Sequence, residues 1–346
     1  MRHFRNQSLM KNKRPAFTLV EVMAATGIML VIIMVVLTIA SQTFTAYNRA
    51  MSILQTTAES RHVVFPLQQD IETAIIRNDG NIWFQVEHPE PVGNVTAGNA
   101  PQIMLFSASH DRIKYESGAV DRIPGDVCAI KYQITQRSPF ESPGELNNQI
   151  YGFYRAMIDA KGTFEFALPH IIVETGASSE NRDPYSFWQN TSAEVLDANN
   201  RRSGQNLKRW ATEKQNVQAS NVIAVSLVFF YQNIETGNLE ALAHESIAGG
   251  TKTALDKAGI ELQMNTYTSS VKIRSGQIII DNAADAPKSA ILKSVNIVTT
   301  LLSPEGSNIL RGLQVAEGQS KVSQTQFDEI VAAHSTTYTT SARFSN

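Results

Sequence analysis

From Val22 to Asn48 the chain carries no charged residue, and that fact limits what it can fold into more than any other. The apolar run Phe17–Ala40 is about 24 residues, or roughly 36 Å as a helix at 1.5 Å per residue. That length crosses a hydrocarbon core of about 30 Å with some tilt. A buried helix of a soluble protein rarely runs so far without a charge. A secretory signal peptide has a shorter apolar region ending at a small-x-small cleavage site, and here the helical pattern continues past Ala40 and Ser41. Residues 1–16 hold Arg2, Arg5, Lys11, Lys13 and Arg14 and no acid, and Arg49 is the first cation after the run. Positive charge stays on the cytoplasmic side of a membrane. The spacing therefore predicts a single pass through the lipid bilayer, with a cytoplasmic N-terminus and the chain from about Ala46 onward outside.

The rest of the chain is acidic. Lys and Arg total 30 against 32 Asp and Glu, and removing the five leader cations leaves 25 against the same 32. A body of that charge does not hold nucleic acid by bulk electrostatics, so no nucleic-acid partner is expected. The hydrophobic share of 42% is enough for a sizeable core. A single cysteine, Cys128, excludes an intrachain disulfide framework and a multi-cysteine zinc site.

One residue does not suit a simple anchor. Glu21 stands at the start of the apolar run, four residues after Phe17. A lone carboxylate in lipid costs a few kcal/mol, so such residues have a partner or a task. The stretch Lys13-Arg14-Pro15-Ala16-Phe17-Thr18-Leu19-Val20-Glu21-Val22 resembles the cleavage and methylation signal of type IV prepilins and type II secretion pseudopilins. The likeness covers about the first 40 residues and is specific: a basic leader, a small residue, then Phe-Thr-Leu-Val-Glu opening an apolar helix. It implies that a prepilin peptidase of the bacterial cytoplasmic membrane cuts between Ala16 and Phe17 and that the new amine of Phe17 is methylated. It also implies that Glu21 pairs with the amine of a neighbouring pilin-like subunit as a filament assembles. Two features depart from the pattern: Ala16 stands where the family usually has Gly, and the apolar helix has no Pro, Gly27 being its one helix-weakening residue. Met10 is an alternative start.

Beyond the membrane the periodicity predicts a helix continuing over 42–79. Tyr47, Met51, Leu54 and Ala58, then Val64, Leu67, Ile71 and Ile75, give it an apolar face. Pro66 is expected to kink or interrupt it, and Gly80 to cap its end. The same periodicity permits a coiled-coil stalk. From 80 to 346 the pattern is that of strands: Ile103–Phe106, Val127–Ile134, Tyr151–Ile158, Val222–Tyr231, Val271–Ile273, Gln277–Ile280 and Ile291–Leu302, with Tyr338–Phe344 as a last edge strand. Val225, Leu227 and Phe229 alternate with Ser226 and Val228, and Arg274-Ser275-Gly276-Gln277 reads as a hairpin turn. Polar stretches at about 138–149 and 177–220 read as long surface insertions, the second anchored by Phe187, Trp188 and Trp210. Ala241–Gly259 and Gln314–His334 read as stretches that contain short helices. The fold class is α+β: one long N-terminal helix packed on an antiparallel β domain. This layout is weakly similar to the larger minor pseudopilins and to the pilin-like cassette proteins of Verrucomicrobia.

No catalytic constellation stands out, and no cofactor is expected. Cys128 lies inside a hydrophobic strand, where a buried structural thiol is the ordinary case. His62, His88, His110, His170, His244 and His334 have no metal-ligand spacing. Asp281, Asn282 and Asp285 form a weak calcium pattern that a solvated turn explains better. A phosphate-loop spacing and a Gly-x-Ser-x-Gly pentapeptide are both lacking. Three readings compete: a minor filament subunit, a membrane-tethered binding protein or enzyme, and a pilin scaffold carrying an adhesin or DNA-receptor domain in its insertions. Glu21 favours the first, because a tether gains nothing from a carboxylate in lipid.

Overall fold

The structure is a computed structural model that describes residues 18–87, 101–108, 113–116, 119–122, 127–137, 150–172, 183–190, 192–196, 202–211, 214–244, 254–255, 261–267, 270–280, 290–316 and 323–344. The chain divides into two units, the boundary falling between Met51 and Ser52. The first is the apolar half of helix α1 (Leu19–Glu72). Its side chains are exposed almost throughout, including Leu30, Val31, Met34 and Leu37. Water does not stabilise a helix that is apolar on every side, and lipid does. It is long and apolar enough to span a membrane.

The second unit begins with the remainder of α1 and carries the strands. The first group is β1 (Ile82–Glu87), β2 (Gln102–Ser107), β3 (Ile113–Glu116), β4 (Ala119–Arg122), β5 (Cys128–Arg137) and β6 (Ile150–Ile158). Next come β7 (Ser192–Leu196), β8 (Arg202–Asn206), β9 (Val217–Ser220), β10 (Val222–Asn233), β11 (Leu239–His244) and β12 (Ala254–Leu255). The last are β13 (Glu261–Tyr267), β14 (Val271–Arg274), β15 (Gln277–Ile280), β16 (Ala290–Leu302) and β17 (Ser335–Arg343). One sheet runs β12-β13-β11-β10-β16-β15-β14-β1-β2-β5-β6-β9, with β17 also paired to β16. β3–β4 and β7–β8 are separate two-stranded hairpins. This is the α+β fold with a long N-terminal helix packed on a sheet that the residue pattern predicts.

The pairing is antiparallel except between β11 and β13, which run parallel. The connection from His244 to Glu261 supplies the dozen or more residues that a parallel crossover needs. The predicted hairpin at 274–277 is present: Ser275 and Gly276 both take positive φ, 52° and 73°, as a two-residue turn between twisted strands requires. The predicted alternation holds as well. Val225, Leu227 and Phe229 enter the main core, while Val228 and Phe230 pack with Ala241 and Ala243 on the other face.

Three expectations are corrected. Helix α1 ends at Glu72, not at Asp79. The sheet captures the chain there: Ile75 N–H donates to the Phe106 carbonyl at 2.8 Å and Ala108 N–H to the Thr73 carbonyl at 3.1 Å. Gly80 keeps its positive φ of 82°, but in the turn before β1. Pro66 does not interrupt α1, because Val63, Leu67 and Ile71, all wholly buried, hold the helix on both sides of it. The stretch 177–220 is not a surface excursion. Phe187, Trp188, Leu207 and Trp210 are buried in a second core with Trp83, Met104 and Phe106, and Trp188 stacks on Trp210 at 6.4 Å. Of Ala241–Gly259, residues 241–244 and 254–255 are strand, in β11 and β12, and the rest lies outside the described residues. The last predicted helix does form, as Gln324–His334 behind a capping box at Ser323. The insertion at 138–149 lies outside the described residues.

The sheet is therefore covered on both faces. On one, Val63, Leu67 and Ile71 of α1 meet Ile103, Leu105, Ile130, Val225 and Ile297. On the other lies the segment that carries Phe187, Trp188 and Trp210. Burying a large aliphatic or aromatic side chain contributes about 1.5–3 kcal/mol, so these contacts fix the last turns of α1 on the sheet.

Candidate functional site at the start of the long helix

Thr18 is the N-cap of α1 and Glu21 its third helical residue. The Thr18 N–H donates to Glu21 Oε2 at 2.9 Å and the Thr18 hydroxyl to the same oxygen at 3.0 Å. In return the Glu21 N–H donates to Thr18 Oγ1 at 3.3 Å. This reciprocal pair is a capping box, which satisfies helix N–H groups that have no partner within the helix. The carboxylate also sits at the positive end of the helix dipole. Both of its hydrogen bonds land on Oε2. Among the described residues Oε1 accepts none. Ala16 and Phe17 lie outside the described residues.

The Thr18-x-x-Glu21 spacing is itself a capping-box signature. It supplies part of what a carboxylate at this depth needs, within one chain and without a cation.

A second polar group sits where α1 reaches the sheet. Asp70 lies on the buried stripe of the helix and is 1% exposed. Arg155 of β6 grips it with two bonds, Nε to Oδ2 at 2.7 Å and Nη2 to Oδ1 at 2.9 Å. The Tyr132 hydroxyl of β5 donates to Asp70 Oδ2, and Arg155 Nε donates to the Tyr132 oxygen at 2.9 Å. Tyr132 stacks on Phe153 at 5.3 Å. Burial, then the charge of Asp70, pushes the Tyr132 hydroxyl well above the usual phenol range, so it stays protonated and keeps donating. Burial disfavours the Arg155 charge, but Tyr132 and Asp70 outweigh it and hold the guanidinium protonated. The arrangement is a clamp. It ties the helix to β5 and β6.

A third polar group docks the helix Pro184–Asn190. Gln85, wholly buried on β1, donates to Glu87 Oε1 at 2.5 Å and to Asp183 Oδ2 at 3.3 Å. Its oxygen accepts the Tyr185 N–H at 3.2 Å. Asp183 caps Ser186 N–H at 2.7 Å and pairs with Lys272 at 3.3 Å. Burial raises the Glu87 carboxyl above its ordinary range.

Cys128 is buried in β5. Among the described residues no three His, Cys, Asp or Glu side chains gather as metal ligands. His170 meets Ser186 at 3.1 Å, and His334 lies 4.0 Å from Glu305. Asp281, Asn282 and Asp285, like His88 and His110, lie outside the described residues. No protein-family model matches the chain, and neither a curated protein nor a solved structure matches it.

Proposed function

We propose that this chain is a minor pilin-like or pseudopilin-like structural subunit of a type IV pilus or a type II secretion-like filament. A prepilin peptidase cuts it between Ala16 and Phe17, the Phe17 amine is methylated, and the outer domain lies beyond the bacterial cytoplasmic membrane. Its role is structural rather than enzymatic. One observation carries the reading: Glu21 opens an apolar helix, capped through Oε2 by Thr18, with Oε1 accepting nothing among the described residues. A new α-amino group on a neighbouring chain is the cation that fits this oxygen, because cleavage before Phe17 creates it at a similar depth. The layout of a long apolar helix followed by a β domain agrees with the reading. The alternative, a binding protein or enzyme that uses the helix only as a tether, gives Glu21 nothing to do beyond capping.

The test is co-assembly. Glu21→Ala removes a charge that is costly in lipid, so insertion and membrane level are expected to hold. Crosslinking to other pilin-like subunits is expected to fall several-fold. Glu21→Gln keeps the shape and much of the cap, so it separates charge from capping and is expected to fall with Ala. Pull-down of crosslinked neighbours from cells carrying wild type, Ala and Gln reads this out. Equal crosslinking in all three would favour the tether.

A further inference from the structure

We infer that Ser52–His62 of α1 is a releasable clasp, held to the sheet weakly enough to open while Val63–Ile71 stays fixed. The inference does not depend on the proposed filament role.

Four observations support it. First, the buried side chains of α1 within 52–62 are Thr56 and Ser60 alone, 2% and 4% exposed. The next two turns bury Val63, Leu67 and Ile71 completely. Transfer of apolar surface from water therefore secures the second stretch and hardly touches the first. Second, the apolar residues of the first stretch point the wrong way for docking: Ile53 is 51% and Leu54 65% exposed.

Third, the buried hydroxyls are satisfied by the helix itself. Thr56 Oγ1 donates to the Ser52 carbonyl at 2.5 Å, and Ser60 Oγ to the Thr57 carbonyl at 2.8 Å. Lifting the stretch breaks neither bond. The polar contact that this stretch makes with β17, Thr57 Oγ1 to Tyr338 OH at 3.1 Å, is of a kind that water replaces at small net cost. On the other flank the Glu59 carboxyl, half-buried and raised by that burial, is hydrogen-bonded to the Ser220 and Asn221 side chains, contacts that opening exchanges for water.

Fourth, the closed form has a defect beneath the clasp. Thr299 is cross-strand partner to Tyr338 and to Val225, and cross-strand partners share a face. Thr299 is wholly buried, and its hydroxyl has no hydrogen-bond partner among the described residues. Such a group disfavours the state that buries it. Opening the clasp admits water to it. Asp70 and its clamp stand on the fixed side of the hinge, so release stops there.

Thiol labelling of the full chain in mild detergent tests this, with Cys128 as an internal standard. Cys128 is wholly buried in β5 and reports global opening. Ser60→Cys is expected to react with a maleimide at least roughly ten-fold faster than Cys128, as local opening does against global opening. Thr56→Cys repeats the measurement at a second clasp position should Ser60→Cys not accumulate. Thr299→Val removes the orphan hydroxyl with little change of shape. It is expected to slow the Ser60→Cys reaction, and to slow Cys128 by no larger a factor, because residue 299 meets water in the locally and the globally opened state alike. One common rate for the two thiols, or a Thr299→Val chain whose clasp thiol reacts no more slowly, would overturn the inference.

Discussion

Replacing Asp70 by alanine is expected to lower the stability of the outer domain by about 3 kcal/mol or more, the range found when one member of a buried ion pair is removed. The cost comes from what stays behind. Arg155 loses both of its bonds to the carboxylate, and the Tyr132 hydroxyl loses its acceptor in a fully buried site. Asp70→Asn keeps an oxygen for Tyr132 and is expected to cost less. The double change Asp70→Leu with Arg155→Met removes both charges and is expected to recover part of the loss, because no buried charge is then unpaired while the Tyr132 hydroxyl still lacks its acceptor. Urea unfolding of the full chain in detergent, followed by tryptophan fluorescence, measures it: Trp83, Trp188 and Trp210 all lie in the second core. A single Asp70→Ala change that leaves the midpoint within error of wild type would mean that the clamp does not hold the helix.

The second large effect concerns maturation and is all-or-none. Ala16→Leu is expected to leave the leader attached. The resemblance implies a peptidase that needs a small side chain directly before the cut. Ala16→Gly supplies the residue usual in the signal that this stretch resembles and is expected to mature at least as fast as wild type. Gel mobility of membrane-extracted chains separates precursor from product. Normal maturation of Ala16→Leu would remove the processing site from this position.

Some of this molecule is legible in the sequence and some is not, for physical reasons. Strand β16 can be read directly, because Val295 and Ile297 alternate with half-buried residues of the opposite face, and β10, buried on both faces, is read from its long run of β-branched and aromatic residues. Strand β1 cannot. Trp83 and Gln85 are buried under one layer and Phe84 and Val86 under another, so burial on both sides erases the period of two. The end of α1 is hidden for a related reason: the residues after Glu72 continue a helical pattern, and a long-range bridge from Ala74 to Ser107 stops it. The polarity of 177–220 suggests a surface loop. Three large aromatics in it, at 187, 188 and 210, carry the contrary signal of a second core.

The candidate site divides the same way. Glu21 is conspicuous because a carboxylate contrasts with everything after it, and its cap by Thr18 follows from a three-residue spacing. The clamp of Asp70, Tyr132 and Arg155 joins residues far apart in the chain, so no local pattern reveals it. Its one trace is an acid on the same helical stripe as Val63, Leu67 and Ile71. The clasp at Thr56 and Ser60 is visible only as the lack of large apolar residues on that stripe.

The central claim is that Phe17 becomes the first residue and that its amine is what Glu21 is placed to meet. N-terminal mass spectrometry of the wild-type chain extracted from membranes tests it most directly. The expected result is a mature chain that begins at Phe17 with a methylated α-amine. A chain that still begins at Met1 or Met10, or one cut near Ser41, would contradict it.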